Sequence, residues 1–206
     1  MTDVWSTIAA ERGALTDDVE GLTQEQWDGP SLCAGWSIHD MLAHQTATAA
    51  SSPMKFFLRF ARNGFNFPKF SEAGIAENRG STPAETLARF RSLQGSTSAP
   101  PGPKVSWLGE VIVHSEDMRR PLGIRHTYPM DAVRQVADFF KGSNTIIGTK
   151  NRIAGLGLVA TDTDWSHGAG PEVRGPMLSL LMAMTGRSVA CDDLTGEGVA
   201  TLRERC

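Results

Sequence analysis

Apolar residues recur along this chain on helical faces far more often than in alternation. Val4, Trp5, Ile8, Leu15, Val19 and Leu22 keep to one stripe and predict an amphipathic helix from Thr2 to Leu22. A second helix is predicted from Ser37, where Ser37 and Asp40 form the S-x-x-D pattern of a capping box and Ile38, Met41, Leu42 and Gln45 follow. A third opens at Thr82, with Pro83 at its first position and Glu85 at its third, and the GSTSAPPGP string from Gly95 to Pro103 lies beyond its end. VSWLGEVIVHSEDMRR, from Val105 to Arg120, is helical by length and pattern despite its β-branched residues, and Pro121 and Gly123 close it. A further helix is predicted over about Met130 to Phe140.

Two stretches depart from this pattern. Between Ser51 and Gly80, six of the nine phenylalanines crowd in beside Lys55, Arg59, Arg62 and Lys69, and the expectation there is a short helix plus loop. Beyond Asn151 the chain reads as short strands joined by turns, with a helix around Pro176 to Thr185 and another near the C-terminus. The expected organisation is therefore a helical domain over residues 1–149 and a small α+β domain over residues 150–206, mainly α as a whole.

Composition narrows the function classes. With 206 residues, 40% hydrophobic and 21% charged positions and a formal net charge of −3, the chain reads as an ordinary globular protein with no nucleic-acid partner. The opening MTDVWSTIAAERG lacks a basic segment followed by an apolar one, and no run is long enough to span a bilayer, so a cytoplasmic location is expected. Cys33, Cys191 and Cys206 are odd in number and far apart, which argues against a disulfide framework or a cysteine zinc site. Cys33, between Leu32 and Ala34, is expected to be a packed residue rather than a nucleophile.

Glu110 and His114 stand four residues apart on one predicted helix, so their side chains share a face and can grip one ion together. His44, on a different predicted helix, can complete such a set if the two helices face each other. Spacing alone is equally compatible with two partly buried histidines and a surface acid. Two histidines and one glutamate would leave a fourth position open, the mark of a catalytic zinc.

Three strings carry a family resemblance: PSLCAGWSIHDMLAHQ (Pro30 to Gln45), GEVIVHSEDMRRPLG (Gly109 to Gly123) and GLGLVATDTDWSHGAGPEVRGP (Gly155 to Pro176). They resemble the actinobacterial DinB-like family that contains mycothiol-dependent maleylpyruvate isomerase. Arginine outnumbers lysine fifteen to five, which is compatible with a GC-rich actinobacterial genome. The likeness is poorest from Ser51 to Gly80. It implies a DinB-like four-helix bundle followed by a small α+β domain, and a divalent metal, zinc above others, held by His44, Glu110 and His114.

It also implies mycothiol as cosubstrate, hence a thiol-using S-transferase or isomerase that acts on an electrophilic small molecule, as a monomer or homodimer. The alternative is a non-enzymatic metal or small-ligand binding protein of the same fold. Asp117, one turn beyond His114, is a candidate to orient a ligand histidine or to pair with Arg119 or Arg120. Arg174 and Arg187 are candidates for a substrate carboxylate. His39, His126 and His167 are expected to be solvated or structural, and Asp162 to Asp164 to be turn residues. The Phe-rich stretch has two readings besides core packing, a pocket lid or a membrane-contact helix. With no lipidation signal the lid is preferred and membrane contact disfavoured.

Overall fold

The computed structural model describes residues 3–144 and 147–206, so the expected helix start at Thr2 lies outside the described residues. The chain divides into two compact units, Met1–Thr127 and Tyr128–Cys206.

The first unit is a helical bundle. Asp3 caps α1 (Val4–Val19), and Thr23 closes a full capping box with Gln26 on the short α2 (Gln24–Asp28), a helix that periodicity did not predict. The expected box at Ser37 and Asp40 opens α3 (Ile38–Ala49). After α4 (Pro53–Arg62) and α5 (Phe67–Asn78), Thr82 caps α6 (Pro83–Ser92), and α7 (Lys104–Arg119) completes the unit. Helices α1, α3, α6 and α7 form the four-helix bundle, with α5 laid against α3. Leu15, Val19, Ile38, Met41, Leu42, Leu87, Phe90 and Met118 fill a continuous core between them, and Trp27 closes it.

The stretch expected to be a short helix plus loop is instead two helices. Ser52 and Asn66 each accept a backbone N–H as an N-cap, and each is followed by a proline in the first turn, Pro53 or Pro68. Between them Phe65 takes a positive φ of 57°, turning the chain so that Phe56 and Phe60 meet Phe70. The phenylalanine density that hid the helical period is thus the seam between α4 and α5.

In the second unit, α8 (Met130–Phe140) packs on α10 (Met177–Met184), whose MLSLLMAM sequence is almost wholly buried. The short α9 (Thr149–Arg152) leads into a three-stranded sheet of β1 (Gly157–Ala160), β2 (Ser166–His167) and β3 (Glu172–Gly175), in the order β2-β1-β3. β1 runs antiparallel to β2 and parallel to β3. A 3-10 turn (Ser188–Asp193) and α11 (Val199–Glu204) end the chain. Asp162 accepts the backbone N–H of Met177 at 2.9 Å, so the expected turn chemistry also holds the start of α10. The division expected after residue 149 falls inside this unit, because α8 buries Val133, Val136 and Phe140 and its Asp138 accepts the Trp165 indole N–H at 3.1 Å. The molecule is mainly α, a helical bundle followed by a small α+β unit.

Two polar groups in the bundle make its stability testable. Arg119 is fully buried and its guanidinium meets the Asp18 carboxylate at 2.7 Å. Asp18→Ala removes this charged partner and is expected to lower unfolding free energy by about 1.5–3 kcal/mol, read by urea denaturation. His39, expected to be solvated, is buried and its Nε2 lies 2.7 Å from the Thr86 hydroxyl. Burial, with the nearby Arg79 charge, lowers its pKa below the usual 6.5. The unfolded chain therefore binds the proton first, so this group's contribution is complete above about pH 6.5 and is lost as pH falls from there to the lowered folded value. A urea series against pH is expected to show that loss, and His39→Gln to make it shallower.

Candidate metal centre

Helix α7 is buried almost all round. From Leu108 to Arg119, Glu110 and His114 are the two residues that are not fully buried, one turn apart on the same face. His44, midway along α3, meets that face. Its Nε2 lies 2.9 Å from Glu110 Oε1, and His114 Nε2 lies 3.4 Å from Glu110 Oε2. One ligand atom from each of the three lies within 4.8 Å of the others. Thr48, one helical turn beyond His44, donates its hydroxyl to Glu110 Oε1 at 3.1 Å.

Behind His114 stands Asp117, fully buried, with Oδ2 2.8 Å from Nδ1. That contact assigns the Nδ1 proton, so Nε2 is the nitrogen that would offer a lone pair to a cation whenever the ring is neutral, as a carboxylate behind a ligating histidine arranges. Cys33 reaches the same carboxylate, its thiol donating to Asp117 Oδ2 at 3.3 Å, with Sγ 4.0 Å from His114 Nδ1. The Leu32 N–H donates to the Asp117 carbonyl at 3.0 Å, and Ser31 bonds the Trp36 carbonyl through both N–H and hydroxyl. This short turn, with Gly35 at φ 82°, places the Trp36 ring against His44 at a centroid distance of 4.9 Å.

Electrostatics mark the cluster as a place for positive charge. Burial alone would raise the Glu110 pKa, but the His114 and His44 imidazoles outweigh it and hold the carboxyl well below its usual range. Burial alone would lower His114, yet the Glu110 charge and the bonds to Asp117, Cys33 and Glu110 drive it well above. Arg12 adds a cation from α1. Burial lowers it to about 10 against the opposing pull of Glu110, and its guanidinium holds the Leu93 and Ser96 carbonyls.

The donor chemistry fits a divalent metal. With Nδ1 of His114 committed to Asp117, a neutral imidazole presents a lone pair to a carboxylate oxygen, and the facing His44 nitrogen adds a third donor; the arrangement calls for a cation between them. Two imidazoles and one carboxylate are a zinc-type set. A small cavity of about 30 Å³ adjoins His44, lined by Thr48, Ser51, Arg59, Phe70, Gly74 and Pro100 among others.

The structure thus brings together His44, Glu110, His114 and Asp117 from the residues singled out in sequence. Arg174 and Arg187 belong to the second unit. There Arg174 pairs with Glu172 at 2.8 Å, and Arg187 donates to the Thr185 carbonyl at 2.8 Å. His126 is structural, paired with Glu11 at 2.8 Å. Sequence reasoning missed Arg12, Thr48 and Trp36, and took Cys33 for packing alone. It does pack against the core, but its thiol also borders the cluster. The one available signal was its place in the SLCAGW turn directly before the helix that carries His44.

The chain is thus a helical bundle with a histidine–carboxylate cluster, continued by a small α+β unit. Residues 8–108 match the model of the mycothiol maleylpyruvate isomerase N-terminal domain. The matched segment contains His44 and ends just before Glu110 and His114. Crystal structures of the mycothiol-dependent maleylpyruvate isomerase and of a histidine-to-alanine mutant of it share the fold, with TM-scores of 0.64 and 0.63. Each is 16% identical, and the alignments cover 95% of this chain and 92% of those chains. No curated protein matches the sequence.

Asp117 is expected to hold His114 in its high-pKa form in the metal-free protein. Asp117→Asn should therefore lower the His114 pKa, measured by imidazole NMR titration, while Asp18→Ala leaves it in place.

Proposed function

We propose that the protein is a metal-dependent enzyme that uses a low-molecular-weight thiol, mycothiol, as an S-transferase or isomerase on an electrophilic small molecule. The observation that carries this reading is the convergence of His44 Nε2, the Glu110 carboxylate and His114 Nε2 on one point, with Asp117 behind His114. These three side chains are the proposed ligands, and zinc is the metal the set suits best. The match of residues 8–108 to the mycothiol maleylpyruvate isomerase N-terminal domain and the fold shared with the isomerase structures support mycothiol as the cosubstrate.

When bound, such a cation supplies the Lewis acidity that favours the thiolate form of a thiol at neutral pH. The chain's own residues prepare the place. Asp117 fixes the His114 tautomer, Thr48 holds one Glu110 oxygen in position, and Trp36 restrains the His44 ring. Since the reacting sulfur belongs to the cosubstrate, Cys33 is not required as a nucleophile. Its thiol bond to Asp117 steadies the carboxylate that orients His114.

The test joins elemental analysis to a thiol-consumption assay with mycothiol, a bacillithiol control and monochlorobimane as first electrophile. About one zinc per chain and mycothiol-selective consumption are expected, with both lost in His44→Ala and His114→Ala. Unchanged metal content in both variants would remove the proposed ligand set. Metal-loaded protein that leaves mycothiol untouched across a panel of electrophiles would favour a metal-binding protein without the reaction.

A further inference from the structure

The α4–α5 hairpin has an outer face that the metal centre does not explain. Its inner side is accounted for: Phe56 and Phe60 pack on Phe70, and Arg59 and Phe70 line the cavity beside His44. The structure thereby supports the covering role expected of this stretch. A cover needs one apolar face, however, and this hairpin has two.

On α4 no residue is fully buried. Met54, Phe57 and Leu58 follow one another at helical steps on the side away from Phe56 and Phe60, and Phe65 and Phe67 continue the apolar surface around the turn. Phe57 is 59% exposed and Phe65 70%. Among the described residues, five of the six large hydrophobic side chains that are exposed lie in this single hairpin, which makes them a patch rather than scatter.

Charge identifies the occupant. Residues 53–70 contain Lys55, Arg59, Arg62 and Lys69 and no acidic residue, a formal +4 within a chain of net charge −3. Arg59 is taken up by Glu77 and by the Phe70 ring, whereas Arg62 and Lys69 have no ion-pair partner among the described residues. On the α4 wheel Lys55, Arg59 and Arg62 fall together on the flank of the apolar arc, the position from which long cationic side chains reach an interface while the apolar residues enter below them. A second copy of the same patch would set these cations against their own kind.

We propose that the outer face of the α4–α5 hairpin docks the protein on an anionic lipid surface, Met54, Phe57, Leu58, Phe65 and Phe67 entering the interface and Lys55, Arg62 and Lys69 meeting headgroup phosphates. No helix of the described residues is long and apolar enough to cross a membrane, so the contact is interfacial and reversible. It combines two signals for such attachment, buried apolar area and a basic rim. The sequence, with no lipidation signal, favoured the lid over membrane contact; the uncovered second face of α4 is what the structure adds.

Co-sedimentation of the full chain with phosphatidylcholine vesicles, and with vesicles enriched in phosphatidylglycerol, tests the proposal. Binding is expected to the anionic vesicles, weakly or not at all to the neutral ones, and to fall as salt rises. Lys55→Glu with Lys69→Glu should reduce partitioning on the order of tenfold or more. Phe57→Ser with Phe65→Ser should do so with the cations intact. Because all four positions are exposed, circular dichroism should match the parent and mycothiol consumption without vesicles should be unchanged. Absence of binding to anionic vesicles overturns the proposal, as does binding that both double variants retain. A concentration-dependent dimer in vesicle-free solution, abolished by Phe57→Ser with Phe65→Ser, would overturn it in favour of an interface between copies.

Discussion

The rest of the bundle depends on the near-complete burial of α7. A helix enclosed on almost every side must find partners for each polar group it carries, because an unpaired charge in such a place costs several kcal/mol. Arg119 finds Asp18, Asp117 finds His114 and the Cys33 thiol, and Ser115 meets the Gln45 amide. Beyond the first turn, from Leu108 to Arg119, only at Glu110 and His114 does the packing stand back. Burial thus selects which face of α7 is available for chemistry, and the neighbours that satisfy its buried polar groups are the same ones that shape the cluster.

The cluster has an electrostatic consequence. Glu110, His44, His114 and Asp117 form one chain of contacts in which two carboxylates and two imidazoles compete for positive charge. In the metal-free protein protons meet that demand, which is why His114 rises and Glu110 falls together. A divalent cation held by the proposed ligands would compete with those protons, and its affinity would fall on acidification. Arg12, buried on α1, adds fixed positive potential that favours the ionised Glu110.

The α4–α5 hairpin is the part of the bundle least like a bundle helix pair. Its inner seam covers one side of the His44 region and its outer face is apolar with a basic flank. Phe67 of the outer face touches Phe70, which lines the cavity.

Much of this was legible in the linear chain. Periodicity and caps place α1, α3, α6, α7 and α8, since Ser37 with Asp40 and Thr82 before Pro83 are local signals whose physics does not depend on tertiary context. The four-residue step from Glu110 to His114 put both on one face for the same reason, while His44 entered only through family resemblance. Between Ser51 and Gly80 aromatic residues fill both faces of α4, so no single period stood out. The sequence by itself determined the helices with one clear stripe and the pair on α7. Tertiary structure alone decided that His44 meets Glu110 and that Cys33 and Trp36 border them. It decided too that α8 packs with the second unit and that one face of α4 stays uncovered. These depend on contacts between residues distant in sequence, and neither spacing nor propensity encodes such contacts.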